Sequence, residues 1–512
     1  MTETKSAIDI DSKQEKKQNS FEEFIGRFKS ALKTVYHEDN DINQMSINRG
    51  IAPEALNKIL STNPHTLIIP KEYGGSGGSI KENLILLSSA SYESLPLSLT
   101  LGINSALFLQ PFIKYGQNEV KGPILERFVN HQNLGGLMIT EPTHGTDALN
   151  MKTSWTENNS HYHLKGIKHW AGLTGQANFW LLTARKQTDN GLLQRDVDMF
   201  VSDNSVTNQN IVVEEYFENL GLYQIPYGRN FIDVKIPKLQ KLVPHTNGVH
   251  MMMDLLHRSR LQFPGMTTGF IHRMLDEGLT HCKQRMVGGK SLFSYDHVQH
   301  QLSILQANFT ISSALSALSV AHADIKNDLN SLGFEANVVK TVATDLMQQS
   351  AQTLVQLVGA AAYKLTHIAG RGTNDSRPFQ IFEGANDILY IQIGESLIKQ
   401  MKSLKITNLF NYLRDLKLTD RASEYFKSDL GFNLDFQLKQ RKTMELGYII
   451  SRIVAMDLVI KLGDKGFRND MINGAISILR QEICSRLNSL QFKQETTVVD
   501  EYHENSQWLN FI

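Results

Sequence analysis

The stretch QIFEGANDILY, residues 380–390, places one carboxylate, Glu383, beside Gly384 with apolar residues on both flanks. Two roles suit a glutamate there. It can cap the helix that the following residues begin. It can also act as a base, if a dehydrated pocket raises its pKa towards working pH. Two further stretches carry polar groups at spacings suited to a ligand. MITEPTHGTDALNMK offers backbone N–H groups around Gly145 and the hydroxyls of Thr140, Thr143 and Thr146. Such a loop can hold an anionic or heteroaromatic edge, or it can be an ordinary β-turn. In GIKHWAGLTGQANFWLL, Trp170 stands beside small residues. Its indole can form a flat wall for an aromatic ligand, or pack a domain boundary. In QLVGAAAYKLTHIAGRGTNDSRPFQ, small residues after Gln356 allow close backbone approach, and Asp375 and Arg377 are placed to pair.

These stretches sit in a chain whose texture changes in order. Residues 1–20 are polar and read as a disordered lead-in. Residues 21–133 show apolar spacings of three and four, a helical domain interrupted by the glycine-rich turn of IIPKEYGGSGGS. Residues 134–245 hold short β-rich runs such as NFWLLTAR, DVDMFVSD and NFIDVKI, separated by turn residues. Residues 246–403 return to helical spacing, and 404–512 add amphipathic helices such as MELGYIISRIVAMDLVIKLG. The reading is an α+β multidomain chain: helices, a β domain, helices, and a helical extension.

The totals narrow the function. The chain has 512 residues, and its 52 basic side chains balance 52 acidic ones. That balance argues against a nucleic-acid binder with a strongly basic surface. Cys282 and Cys484 show no metal or disulfide spacing, and no metal site is expected. The polar N-terminus lacks the apolar core of a secretory signal. No run is expected to approach the roughly 20 apolar residues a membrane span needs. A cytoplasmic setting is expected.

Taken together, the motifs resemble the acyl-CoA dehydrogenase family of flavoproteins. ITEPTHGTD is similar to the family's TEPxxGSD, and GIKHWAGLTGQANFWLLTAR to its GxKxWITNGxxAD segment. LGLYQIPYGRNFIDVKIP resembles the strand motif that closes its β domain. QLVGAAAY through IFEGANDI resembles QxxGGxGY … RD … IYEGT, and IPKEYGGSGGS matches the N-terminal domain. The likeness runs from about residue 20 to 402, in the family's order.

The resemblance implies an N-terminal helical domain, a middle β-barrel or sandwich domain and a C-terminal four-helix bundle, with FAD between them and across a subunit interface. It implies α,β-dehydrogenation of an acyl thioester in lipid metabolism, with Glu383 as the base. Thr140, Gly145, Thr146, Trp170 and Gly172 would hold FAD, and Arg285, Gln356 and Gly359 would hold that of a neighbouring subunit. Arg260 and Gly384 would place the thioester, whose carbonyl would meet the Glu383 N–H. Some relatives carry the base at the position of Ser259, which cannot serve. The implied partners are an acyl-CoA or acyl-carrier-protein thioester, an electron-transfer flavoprotein as acceptor, and further copies of the chain in a homodimer or homotetramer.

The sequence also departs from the pattern. Gly172 replaces a hydroxyl residue, so a donor to the flavin is missing unless Thr174 reaches in. Gly288-Gly289 replaces an FG pair, and Ala385 replaces a threonine. Two rivals therefore stand beside the dehydrogenase: an oxidase or dehydrogenase of a carrier-tethered acyl chain, and a non-catalytic flavin-binding relative.

Overall fold

The computed structural model describes residues 20–492 and 497–512. The expected lead-in, apart from Ser20, lies outside the described residues.

Helices fill the N-terminal part. Helix α1 (Ile80–Glu93) begins with a reciprocal cap: the Ser79 hydroxyl accepts from the Glu82 N–H, and the Glu82 carboxylate accepts from the Ser79 N–H. Helix α2 (Leu95–Gly102) starts on the Ser94 cap and runs into a π-helical stretch, Ile103–Leu109. The widened turns there are a form that recurs at functional sites.

The middle of the chain forms one seven-stranded sheet. Its strands are β1 (Gly135–Met138), β2 (Ser154–Glu157), β3 (His161–His169), β4 (Phe179–Lys186), β5 (Asp198–Asp203), β6 (Val212–Tyr216) and β7 (Gly228–Pro237). The order is β1-β4-β2-β3-β7-β6, and β5 pairs with β4. Strand β7 alternates buried and outward residues along Asn230–Pro237, the pattern of a sheet with one face on the core. Strand β4 is buried on both faces over Phe179–Arg185, which explains the apolar run Phe179–Leu182.

Helices α3 (Gly248–Arg260), α4 (Phe263–Gln284), α5 (Asp296–His322), α6 (Gly333–Val358) and α7 (Asn386–Leu404) follow. Helices α4, α5 and α6 pack against one another, and α7 joins this helical bundle against α6. Helices α8 (Gln440–Asp464) and α9 (Asn469–Gln491) of the extension pack onto it. The α7–α8 crossing is unusually close. A Cβ on Gly447 would lie 1.9 Å from the Tyr390 carbonyl oxygen, and one on Gly394 would lie 2.4 Å from that of Thr443. Only glycine fits either position. One buried apolar cluster joins the N-terminal helices, the sheet, the bundle and the extension.

Two helical stretches, Leu95–Tyr115 and Asp296–His322, are long and apolar enough to cross a bilayer by length and composition. This corrects the reading that no run approaches that limit. The apolar window of the first is 89% buried inside the protein and that of the second, bundle helix α5, is 56% buried, so both pack within the fold.

Candidate active site

A cavity of about 380 Å³ opens where the N-terminal helices, the sheet and the bundle meet. Sheet-side residues Thr140, Gly145, Thr146, Trp170 and Gly172 line it, and so do Arg260 at the end of α3 and Glu383 and Gly384 in the turn before α7. Eight of the residues named from the sequence thus converge on one space. Arg285, Gln356 and Gly359 do not. They are exposed, Arg285 after the end of α4 and the other two at the end of α6.

Glu383 caps nothing. Helix α7 starts at Asn386 with Ala385 as its N-cap and no side-chain cap bond. Glu383 instead has φ 55°, and Gly384 has φ 100°. The left-handed region costs a residue with a Cβ roughly 1–2 kcal/mol, so other contacts must hold the turn. Three do. The Arg260 Nε donates to the Glu383 carbonyl at 2.9 Å. The Lys340 ammonium donates to the Gly384 carbonyl and to the Asn386 Oδ1, each at 2.8 Å. The Ser259 hydroxyl donates to the Glu383 Oε1 at 2.8 Å.

The other carboxylate oxygen, Oε2, is buried without a hydrogen-bond partner. An unpaired buried acceptor is a costly thing to keep, and here it belongs to a residue on the cavity wall. Burial pushes the Glu383 carboxyl above its usual range; the Ser259 hydrogen bond and the charges of Arg260 and Lys340 moderate the rise. Lys340 itself is pushed down by burial, to about 7, although Glu383 opposes the fall. Arg260 falls to about 10 for the same first reason and remains a cation at neutral pH. The Glu383 N–H makes no hydrogen bond to another described residue.

The sheet side is built on a second buried carboxylate. Glu141 accepts from the N–H groups of Lys152 (2.5 Å) and Thr153 (2.9 Å) and from the Lys168 ammonium at 3.0 Å. Lys168 also donates to the Ile139 carbonyl and the Thr183 hydroxyl. Burial alone would raise the Glu141 carboxyl; Lys168 and these donors outweigh it and hold it below its usual range. The loop that carries Thr140, Gly145 and Thr146 is thereby pinned, and a Cβ on Gly145 would meet open space. Trp170 has φ 55° and is 54% exposed. Its ring lies 4.5 Å from that of Phe217 and 6.2 Å from that of Tyr227, centroid to centroid. A pinned loop and a flat aromatic wall suit a planar heteroaromatic group such as a flavin.

Three readings change. Asp375 does not pair with Arg377. It accepts from the Leu222 N–H at 2.6 Å, with the Arg371 charge nearby, and burial raises it to about 6; Arg377 donates to Gln380. Thr174 does not reach the cavity, because its hydroxyl donates to the Ala171 carbonyl and accepts from Asn230. Met252 and Met253 line the cavity besides packing the start of α3. Sequence reasoning missed Lys340. Its signal was a lysine inside the apolar stripe of ANVVKTVATDL, a position that must find buried acceptors.

Residues 29–132, 136–234 and 246–398 match, in turn, the acyl-CoA dehydrogenase N-terminal, middle and C-terminal domains. The chain belongs to the acyl-CoA dehydrogenase family. An acyl-CoA dehydrogenase of Bacillus subtilis is 24% identical over 335 residues, which are 64% of this chain and 86% of that protein. The solved acyl-CoA dehydrogenase of Bacillus anthracis, complexed with FAD, superposes with a TM-score of 0.70 at 16% identity. It covers 93% of this chain, extension included, and the superposition takes in 92% of its own length. The prolyl acyl carrier protein oxidase AnaB superposes with a TM-score of 0.66 at 16% identity, over 73% of this chain and 98% of its own. At these identities the structures show a shared fold.

Proposed function

We propose that this chain is an FAD-dependent dehydrogenase of acyl thioesters, forming the trans-2-enoyl thioester with Glu383 as the base. One observation carries the reading: a raised, desolvated carboxylate with one open oxygen, held on the cavity wall by a strained turn. Thr140, Gly145, Thr146, Trp170 and Gly172 would hold FAD on the sheet side of the cavity. Arg285, Gln356 and Gly359 are exposed and so accessible to the FAD of a second copy in a homodimer or homotetramer. When bound, the flavin supplies the acceptor for the β-hydrogen, which leaves as hydride.

The chain's own residues do the rest. Leu99, Ile103, Leu256 and Ile388 give the cavity an apolar wall for the acyl chain. The thioester carbonyl meets the unengaged Glu383 N–H, which stabilises charge as the α-proton departs. Glu383 Oε2 takes that proton. Arg260 and Lys340 keep the turn in place and lower the cost of charging the carboxylate. The raised pKa of the carboxyl brings the base nearer the acidity of its substrate.

A second reading rests on Gly172. With Thr174 turned away, no hydroxyl from this segment lines the cavity, a departure that favours an altered acceptor reaction on a carrier-tethered acyl group. The test is a substrate panel on the yellow protein, with free acyl-CoAs beside the same acyl groups on a carrier protein. Each is followed anaerobically for flavin bleaching and aerobically for hydrogen peroxide. Bleaching by free acyl-CoA, little peroxide, and turnover with an electron-transfer flavoprotein support the first reading. Bleaching by carrier-bound substrate alone, with peroxide, moves the assignment to the second.

A further inference from the structure

The extension reaches the turn that carries Glu383. Arg452, on α8, is 1% exposed. Its guanidinium donates to the Asp345 Oδ2 and the Glu482 Oε1, each at 3.0 Å, and to the Tyr390 and Tyr448 hydroxyls at 3.1 and 3.0 Å. Asp345 is the hub on the bundle side. It accepts from the Gln380 amide at 2.7 Å, from the Asn386 amide at 2.7 Å and from the Tyr390 hydroxyl at 2.5 Å. One of these donors precedes the Glu383–Gly384 turn and two follow it. Asn386 turns its other amide atom to Lys340, which also holds the Gly384 carbonyl.

We propose that Arg452 is a positioning residue for Glu383: it holds Asp345, and Asp345 clamps both ends of segment 380–390 so that the turn keeps its left-handed form. The proposal rests on the reading of Glu383 as the base. It gives the extension a place in the reaction. An apolar face on α8 would have sufficed to cover the bundle. A fully buried cation is kept only where partners are fixed around it. The glycine contacts of Gly447 and Gly394 bring α8 against the first three turns of α7 and set how near the guanidinium comes to Asp345. Without it, Asp345 would be an unpaired anion beside the turn, and its donors Gln380, Asn386 and Tyr390 would have reason to rearrange.

The experiment uses the full-length FAD-loaded protein with Arg452→Met, Arg452→Lys and Tyr390→Phe, and Arg468→Ala as control. Arg468 pairs with Asp470 on an exposed part of the extension. The readouts are bleaching rate at saturating substrate, half-saturating substrate concentration, FAD content, and amide exchange across 380–390. Arg452→Met is expected to slow bleaching at least tenfold, with FAD content and half-saturation within threefold of wild type. Exchange across 380–390 should rise at least tenfold while α5 keeps wild-type exchange. Arg452→Lys should recover part of the rate, and Arg468→Ala should match wild type. A folded Arg452→Met protein with bleaching and exchange within twofold of wild type overturns the proposal. Should that variant fail to fold, Tyr390→Phe decides: about threefold slower bleaching and faster exchange at 380–390 support the clamp, and wild-type values refute it. If no thioester bleaches the wild type, the base assignment fails by itself, and the exchange data still judge the clamp.

Discussion

Two glutamates with buried carboxylates have opposite fates: Glu383 lines the cavity, and Glu141 pins the loop whose neighbours line it. Glu141, on the sheet side, has its carboxylate met by two backbone N–H groups and a buried lysine, and its pKa is held down. Glu383, on the bundle side, has a hydroxyl on one oxygen, nothing on the other, and a raised pKa. Both have a buried lysine nearby. The difference lies in what each lysine touches. Lys168 bonds the carboxylate of Glu141 itself. Lys340 bonds the carbonyl next to Glu383 and leaves the carboxylate to the cavity. Full satisfaction makes a structural pin; an incomplete set on a held turn makes a group that can accept a proton.

The sharpest way to break this contrast is to exchange each carboxylate for an amide. Glu383→Gln should lose roughly 10²–10⁴-fold in the rate of flavin bleaching by substrate, the usual contribution of a positioned base. It should keep FAD. Its stability should exceed that of wild type at neutral pH, because a desolvated charge is removed, and thermal unfolding from pH 4 to 8 would show it. The sign follows from the raised pKa. The folded state prefers the protonated carboxyl, so the stability gained by proton uptake is fully present below the unfolded pKa and is lost as pH rises through the folded one. The advantage of Glu383→Gln should therefore shrink in acid.

Glu141→Gln should do the reverse. It leaves Lys168 buried without its anion, at a cost of about 3–5 kcal/mol, seen as a lower denaturation midpoint and weaker FAD retention. Here the pKa is depressed, so the stabilisation stands above the unfolded pKa and is lost as pH falls towards the folded one.

A smaller effect separates the lysines. Lys340→Met removes a cation near Glu383 and a tether on Gly384. The pH midpoint of bleaching, already above the ordinary glutamate value of about 4.3, should move further up, and the limiting rate should fall by about tenfold, one pKa unit's worth of interaction. A midpoint unchanged from wild type would show that Lys340 does not act on Glu383.

Ser259→Ala should give the smallest loss of rate, because one hydrogen bond to the carboxylate goes while every tether on the turn's backbone stays. The midpoint should again rise, with FAD binding intact.

Much of this was legible in the sequence because it lies in short, local runs. The order of helices, strands and helices follows from a change of apolar period. The eight residues that meet at the cavity come from four short stretches, which are telling in combination and in order. What was not legible depends on contacts between distant segments. Ser259 could be dismissed as a base, but its hydrogen bond to Glu383 spans two helical elements. Lys340 looks like any helical lysine until its neighbours are known to be buried. Asp375 was matched to the nearest arginine along the chain, yet residues two apart on a helix do not face each other, and its partner is an N–H in the loop before β7. The extension shows amphipathic spacing, but no spacing reveals that Arg452 lands on Asp345.

The most direct measurement compares wild type and Glu383→Gln in a single anaerobic mixing experiment, with each protein FAD-loaded and the acyl thioester saturating. The account predicts rapid bleaching in wild type, with a rate that climbs with pH through the raised carboxyl pKa, and a variant that binds the same thioester yet bleaches slowly at every pH. A variant that bleaches at the wild-type rate would contradict it and place the base elsewhere.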